Sequence, residues 1–226
     1  MGSIYGMGNN SFMNTFFGTN NTSTNSNTSW ISSVGDLNMI KSGVYKKALK
    51  AYYAKTSAEE EGTNTIVGSG TADSTVKLSN LKSSAQKLYD SANQLKKADY
   101  SDGRKPENLL DDVKSFVDSY NSNLNNTKKM DSYSILQTAV WGTEQMNVSE
   151  GMLNKVGISI GADNTLSIDE DKFKQAKMSD LKTLFSGSGS LADRVAQKAS
   201  TMYNQTTNQL SLNQGKYTYT MYGTLG

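Results

Sequence analysis

The chain has 226 residues, 23 basic against 21 acidic side chains, and neither His nor Cys. This length suffices for one or two domains with a core, whereas the missing His and Cys exclude Ser-His-Asp and Cys-His catalysis, the common zinc sites and disulfides. The balanced charge indicates no nucleic-acid partner, and the absence of an apolar run near about 18 residues predicts no membrane insertion.

Residues 1–33 are dominated by Asn, Ser, Thr and Gly. A tract of this composition buries too little apolar surface to offset its ordering entropy, so we predict a tail that is disordered in the isolated chain. Its scattered aromatic side chains are alternatively suited to docking in an assembly. It has no basic and apolar regions of the kind found in a cleaved secretory signal.

Residues 34–56 are predicted to form an N-terminal helix that begins at Asp36 and carries an apolar stripe. The members of this stripe include Leu37, Ile40, Val44, Leu49 and Tyr52.

Residues 57–78 are rich in Gly, Thr and Ser and are predicted to be a connector, with possible short strands at 66–67 and 76–78.

Residues 79–210 are predicted to form a helical domain. Its first helix is capped by Ser79 or Asn80, its second begins at Pro106, and its third runs from about 133 to Gly157. The first two helices have regular apolar stripes, which are Leu81, Ala85, Leu88, Ala92 and Leu95, followed by Leu109, Leu110, Val113, Phe116, Val117, Tyr120 and Leu124.

A β-hairpin is predicted near 156–168, because Ile158, Ile160, Leu166 and Ile168 alternate around a Gly/Asp/Asn turn. Asp169 is then expected to cap a short helix ending at Met178. After a Gly-Ser-Gly break at 187–189, a last helix has a narrow, heptad-like stripe that is typical of burial against a partner helix. The residues 211–226 form a Tyr-rich tail. The fold class is therefore mainly α: a helical bundle with one small hairpin and flexible or coiled-coil-like termini.

The sequence offers weak candidates for ligand binding. The G-x-G-x-x-A pattern at 187–192 lacks the buried strand that a dinucleotide fingerprint requires. The acidic residues from 163 to 171 do not match the spacing of a calcium loop, and turn and capping roles explain them. We therefore assign no catalytic residue, cofactor or metal, and expect no enzyme.

Several segments resemble the C-terminal region of the bacterial flagellar filament-capping protein family, also called hook-associated protein 2. The helix 112–121 carries the family's Phe-Val pair followed by Tyr-Asn. Residues 156–158 and 164–173 resemble its Ile-Gly-Ile and Gly-Thr-Leu-x-Ile-Asp segment, with Asn164 in place of the turn glycine. Residues 184–187 and 191–192 resemble its Leu-Phe-x-Gly and Gly-Leu-Ala. The large β-rich outer domains of the family are missing, so the resemblance is to a reduced form.

The resemblance implies an extracellular, flagellar structural protein, exported without a cleaved signal, that caps a filament or joins its axis. Its partners would be copies of itself, other flagellar axial proteins or an export chaperone. Cytoplasmic binding modules (an export chaperone or adaptor) and non-flagellar surface relatives that act in cell adhesion remain alternatives. The candidate assembly positions are Leu37, Ile40, Val44 and Tyr52 on the first helix and Leu191, Val195, Met202 and Leu210 on the last.

Overall fold

A computed structural model describes residues 73–101 and 103–215, together with Lys47 and Lys50. Between residues 73 and 215 it contains seven helices and one antiparallel hairpin, which confirms the predicted mainly α fold with one small hairpin. The helices are α1 (Thr75–Lys97), α2 (Leu110–Thr127, after a 3₁₀ turn Pro106–Leu109), α3 (Tyr133–Val148), α4 (Glu150–Lys155), α5 (Glu170–Lys174), α6 (Met178–Phe185) and α7 (Leu191–Gly215); the strands are β1 (Ile158–Ile160) and β2 (Leu166–Ile168).

The four longest helices form an antiparallel bundle in which α7 packs chiefly against α1 and also against α3. The direction follows from the side chains that join helix ends: Lys96 near the end of α1 binds Asp193 near the start of α7. At the opposite end of the bundle, Asn213 of α7 binds the carbonyl of Asp73, just before α1. The helix α2 runs antiparallel to α1, since Gln94 binds Asp112 and Asn126 binds Ser84.

The predicted stripes of α1 and α2 are confirmed as the core of this bundle. Every one of their members is buried. Some of them pack with the hairpin, α6 and α7 in one large cluster, and the others pack with α3 in a second cluster. Burial of such stripes is the main source of stability for amphipathic helices, because helix propensity alone is marginal.

The start of α1 differs from the prediction. The helix begins at Thr75, where the Ser74 hydroxyl accepts a hydrogen bond from the Lys77 N–H at 3.4 Å. The expected cap at Ser79 or Asn80 and the expected strand at 76–78 are therefore wrong. The physical reason is that Leu78 lies one turn before Leu81, so it extends the buried stripe and is itself fully buried.

The boundaries of three other helices also need correction. The predicted helix from 133 to 156 is broken at Ser149, whose backbone leaves helical geometry between α3 and α4. The helix capped by Asp169 ends at Lys174 instead of Met178, which begins the next helix. The last helix continues to Gly215, into the predicted tail 211–226. The predictions for 1–33 and for the remainder of that tail lie outside the described residues, as do most of those for 34–56 and 57–78.

The hairpin is confirmed, and two residues with positive φ frame it. Asn164 has a φ of +64° in the turn, a conformation that asparagine tolerates better than most residues. Gly157 has a φ of +82° before β1, where its carbonyl accepts the Asp169 N–H at 2.8 Å. The predicted cap is also present, since the Asp169 carboxylate accepts the Lys172 N–H at 3.0 Å.

Asp193 fastens the start of α7 to the end of α1. Its carboxylate receives the Lys96 ammonium at 2.6 Å and the Gly189 N–H at 2.8 Å. These two donors, with Lys96 contributing more, hold the pKa of Asp193 below its ordinary value of 3.8. A carboxyl with a lowered pKa stabilises the fold above its ordinary pKa, and that contribution is lost as the pH falls toward the lower folded value.

We expect Asp193→Asn to lower the melting temperature at neutral pH, because it removes the charge that Lys96 contacts. We also expect its stability to fall less steeply than that of the wild type as the pH is lowered through 3.8. Thermal unfolding across this pH range measures both effects. Asp118→Asn, at an exposed position of α2, is the control; equal pH profiles for Asp193→Asn and the wild type would contradict the prediction.

Candidate assembly site

The assembly positions predicted on the last helix lie in the chain's own bundle. Leu191, Val195 and Met202 are each less than 5% exposed, and Leu210 is partly buried against the cluster that contains α3. Their narrow stripe predicted burial against a partner helix, and that helix is α1 of the same chain. Leu191, Val195 and Met202 are therefore not presented to a second protein in this fold, and Leu210 is presented only in part. Leu37, Ile40, Val44 and Tyr52 lie outside the described residues.

The two ends of the described chain meet at one end of the bundle. The Nδ2 of Asn213 donates a hydrogen bond to the Asp73 carbonyl at 3.1 Å. The Asp73 carboxylate in turn accepts the N–H groups of Asp131 and Ser132 at 2.9 and 3.0 Å. Gln209 also binds the Ser132 hydroxyl. We call this group of residues, which joins the start of α1, the start of α3 and the end of α7, the clasp.

Burial dominates the electrostatics of the clasp. Asp73 is 6% exposed, and its burial raises the pKa of the carboxyl above its ordinary value although the two backbone donors act to lower it. Lys77 lies 3.6 Å from Asp131, which is itself a neighbour of Asp73. The helical residue Lys47 also reaches this place: its ammonium donates to the Lys128 carbonyl at 2.8 Å and lies 3.9 Å from Asp131. Lys47, which precedes α1 in the sequence, thereby contacts the clasp end of the bundle.

The hairpin and the start of α5 lie along α2, and they are held by two side chains of that helix and by Lys128, which caps its C-terminal end. Asn121 makes a paired contact, in which its Oδ1 accepts the Leu166 N–H and its Nδ2 donates to the Leu166 carbonyl, both at 2.8 Å. Lys114 binds the Glu170 carboxylate at 2.6 Å, and Lys128 binds the Asp163 carbonyl at 3.0 Å. The side-chain amide of Asn121 thus provides hydrogen-bond partners for the backbone N–H and carbonyl at the outer edge of β2, as a neighbouring strand would.

The segments that carry the family resemblance pack together. The Phe116 ring of the first segment meets the Phe185 ring of the third edge-on, with 6.0 Å between centroids and an interplanar angle of 69°. Asn121 of the first segment binds Leu166 of the second. The same core cluster contains Phe173 and Leu191. Segments that are far apart in the sequence thus form one continuous unit around α2.

The residues that hold the hairpin were not predicted from the sequence. A signal for them exists, because Lys114, Asn121 and Lys128 are spaced seven residues apart and therefore lie on one side of α2. This side is polar, so it is indistinguishable from a solvated helix face in the sequence alone. Asp73 and Asn213 gave no signal, since their contact joins residues 140 positions apart.

Replacing Asn121 with alanine leaves the N–H and carbonyl of Leu166 without their partner. We expect the free energy of unfolding to fall by about 2 kcal/mol, since an unsatisfied buried group costs about 1–3 kcal/mol and this site is only partly buried. Urea unfolding measures the loss, and amide exchange at Leu166 should accelerate. Asn125→Ala, at an exposed position of the same helix, should change stability by less than about 0.5 kcal/mol. Equal losses in both variants would contradict the role of Asn121.

Chemical groups for ligand binding are sparse in the described part of the chain. No cluster of three or more acidic residues that could hold a metal ion occurs there. A cavity of about 30 Å³ lies between α1, α2, α3 and α7, with Tyr120, Asn123, Ala139 and Ala199 in its wall. No helix in the described part of the chain has the length and apolar character needed to cross a membrane.

Comparison of the chain with models of protein families, with curated proteins and with solved structures finds no match.

Proposed function

We propose that this chain is an exported structural protein of the flagellar cap or axial type, which assembles with copies of itself or with other axial proteins through its terminal segments. The observation that supports this proposal most strongly is the packing of the resembling segments: Phe116 against Phe185 and Asn121 against Leu166 join all three in one core.

The position of the clasp gives further support. Residues 1–72 enter the bundle and residues 216–226 leave it at points that the Asn213–Asp73 hydrogen bond holds side by side. The two points at which the chain continues beyond the described bundle are therefore neighbours. The predicted assembly residues of the last helix are used inside the bundle, so the proposal assigns assembly to the segments beyond the clasp and to the surface beside it.

The proposal is tested by locating the protein in the bacterium that produces it. Culture supernatant, sheared filaments and cytosol are separated and probed with an antibody, in the wild type and in a strain without the flagellar export apparatus. We expect the protein in the filament or supernatant fraction, and its retention in the export-deficient strain. Recovery in cytosol alone would contradict the proposal and favour the chaperone or adaptor. Secretion that does not depend on the flagellar apparatus would favour the adhesin-like alternative.

A matched variant tests the role of the terminal segment. Deletion of residues 1–33 removes the aromatic tail and leaves the described bundle intact. We expect the purified full chain to form larger particles than the deletion variant in light scattering, while both have the same helical content by circular dichroism. Particles of equal size would contradict assembly through this segment.

A further inference from the structure

The helix α3 has almost no charged surface. Glu144 is the one charged side chain among its sixteen residues, whereas α1 has six in 23. Within α3 only Val148, the last residue, is exposed, and all the others are buried or half-buried. A helix on the surface of a bundle normally presents a polar, exposed side to solvent. The sequence and burial of α3 therefore indicate a helix that is covered on every side.

The described bundle covers one side of α3. Helix α7 is its main neighbour there, and α2 and α4 contact it less extensively. On this side the Thr138 hydroxyl donates a hydrogen bond to Gln205 of α7 at 3.0 Å. The apolar side chains that α3 contributes to the core shared with α1 and α7 are Ile135, Leu136, Ala139 and Val140.

The opposite side of α3 carries Tyr133, Gln137 and Glu144. These residues are spaced four and seven positions apart, so they lie along one line of the helix. All three are half-buried. Since α7, α2 and α4 pack against the other side, a further element has to lie against this line. We call the line of these three residues the outer side of α3.

Lys47 identifies the segment that reaches the outer side. It is helical, and its ammonium donates to the Lys128 carbonyl at 2.8 Å and lies 3.9 Å from Asp131, in the turn that leads into α3. In the predicted N-terminal helix, Val44 and Ile40 precede Lys47 by three and seven residues and therefore share its side. The contact of Lys47 with this turn consequently directs the apolar stripe toward α3.

The predicted helix also has a suitable length. Residues 37–47 span about 15 Å as a helix, against about 24 Å for the sixteen residues of α3. We propose that the outer side of α3 is the docking surface for residues 37–47 of the same chain. This segment runs antiparallel to α3, because Lys47 lies at the start of α3 and the aliphatic residues on its side precede it. Val44 then lies near Tyr133, and Ile40 lies near Gln137.

Docking of this segment limits which parts of the chain can assemble. Ile40 and Val44 are then used within the chain, as Val195 of the last helix is. Under the proposed function, assembly falls to residues 1–33 and to the tail after Gly215. Docking within one chain does not rest on the proposed function: recovery of the protein in cytosol alone leaves the docking standing, and failure of the docking leaves export standing.

Cysteine pairs test the docking directly, because the chain has no cysteine of its own. Ile40→Cys with Gln137→Cys places two thiols within the distance of about 7 Å between Cα atoms that a disulfide requires. Ile40→Cys with Gln145→Cys is the matched control, since Gln145 lies on the same helix in the wall of the cavity toward α7. Under mild oxidation of the full chain we expect at least about tenfold more intramolecular disulfide from the first pair. Equal yields would overturn the proposal. Disulfide-linked dimers in place of linked monomers would also overturn it, because the segment would then lie on a second copy.

Amide exchange provides a second measurement, which needs no cysteine. Ile40→Asp with Val44→Asp introduces charges into the proposed contact, so exchange in peptides from α3 should accelerate at least about tenfold while peptides from α1 stay protected. Lys50→Asp is the control, because Lys50 belongs to the same segment and is helical and exposed. Deuterium labelling of the full-length variants with mass spectrometry compares them. Exchange in α3 that is the same for the double variant and for Lys50→Asp would contradict docking of this segment.

Discussion

Phe116→Ala should lower the free energy of unfolding by about 3–5 kcal/mol, the range found when a buried aromatic side chain is truncated. Phe116 is fully buried in the larger core cluster. Its ring joins α2 to α6 through the edge-on contact with Phe185. The substitution therefore removes apolar burial and also the contact that connects two of the resembling segments.

Urea unfolding followed by circular dichroism measures this loss. Tyr89→Ala is the control, because Tyr89 is an aromatic residue that is 39% exposed on α1, and its removal should cost much less. Combining Phe116→Leu with Phe185→Leu in a double-mutant cycle isolates the ring contact, for which we expect a coupling of about 0.5–1.5 kcal/mol. A loss below about 1 kcal/mol for Phe116→Ala would mean that this core is not assembled as described.

The helices and the hairpin in this region were predictable from local sequence patterns. Stripes such as Leu81 to Leu95 repeat with the helical period, and a side chain in the stripe is buried whichever helix covers it. The hairpin was predictable for a similar reason, since Ile158 and Leu166 alternate around turn residues. These features depend on neighbours in the sequence, so no knowledge of the tertiary arrangement is required.

The features that the sequence did not reveal depend on distant residues. The break at Ser149 lies in a stretch without proline, and the end of α5 at Lys174 has no glycine to mark it. The paired amide of Asn121 has meaning only when β2 lies beside α2. The last-helix positions such as Val195 were expected at an interface between proteins, whereas the stripe is covered by α1 within the chain. Amphipathicity predicts that a face is buried, but it does not say whether the covering helix belongs to the same chain.

Gly157 has a local role in the backbone turn before β1 and a second role in the close packing of that turn against α5. Its φ of +82° permits the chain to leave α4 and enter β1 at once. A Cβ atom at this position would lie 2.8 Å from both the Asp169 carbonyl oxygen and the Phe173 N. These are backbone atoms of the N-cap of α5 and of α5 itself, so they cannot rotate away as the end of a flexible side chain can. The hairpin and α5 are thus able to close on each other only because residue 157 has no side chain.

Gly157→Ala should therefore lower the free energy of unfolding by about 2–4 kcal/mol, of which ~1–2 kcal/mol comes from the left-handed backbone and the rest from the forced displacement of α5. Gly151→Ala is a control with the same chemical change, because Gly151 lies in helix α4 and a Cβ there meets no atom within 4 Å. That variant should gain up to about 1 kcal/mol from helix propensity. Chemical denaturation distinguishes the two, and losses of similar size in both would show that residue 157 is not in close contact with α5.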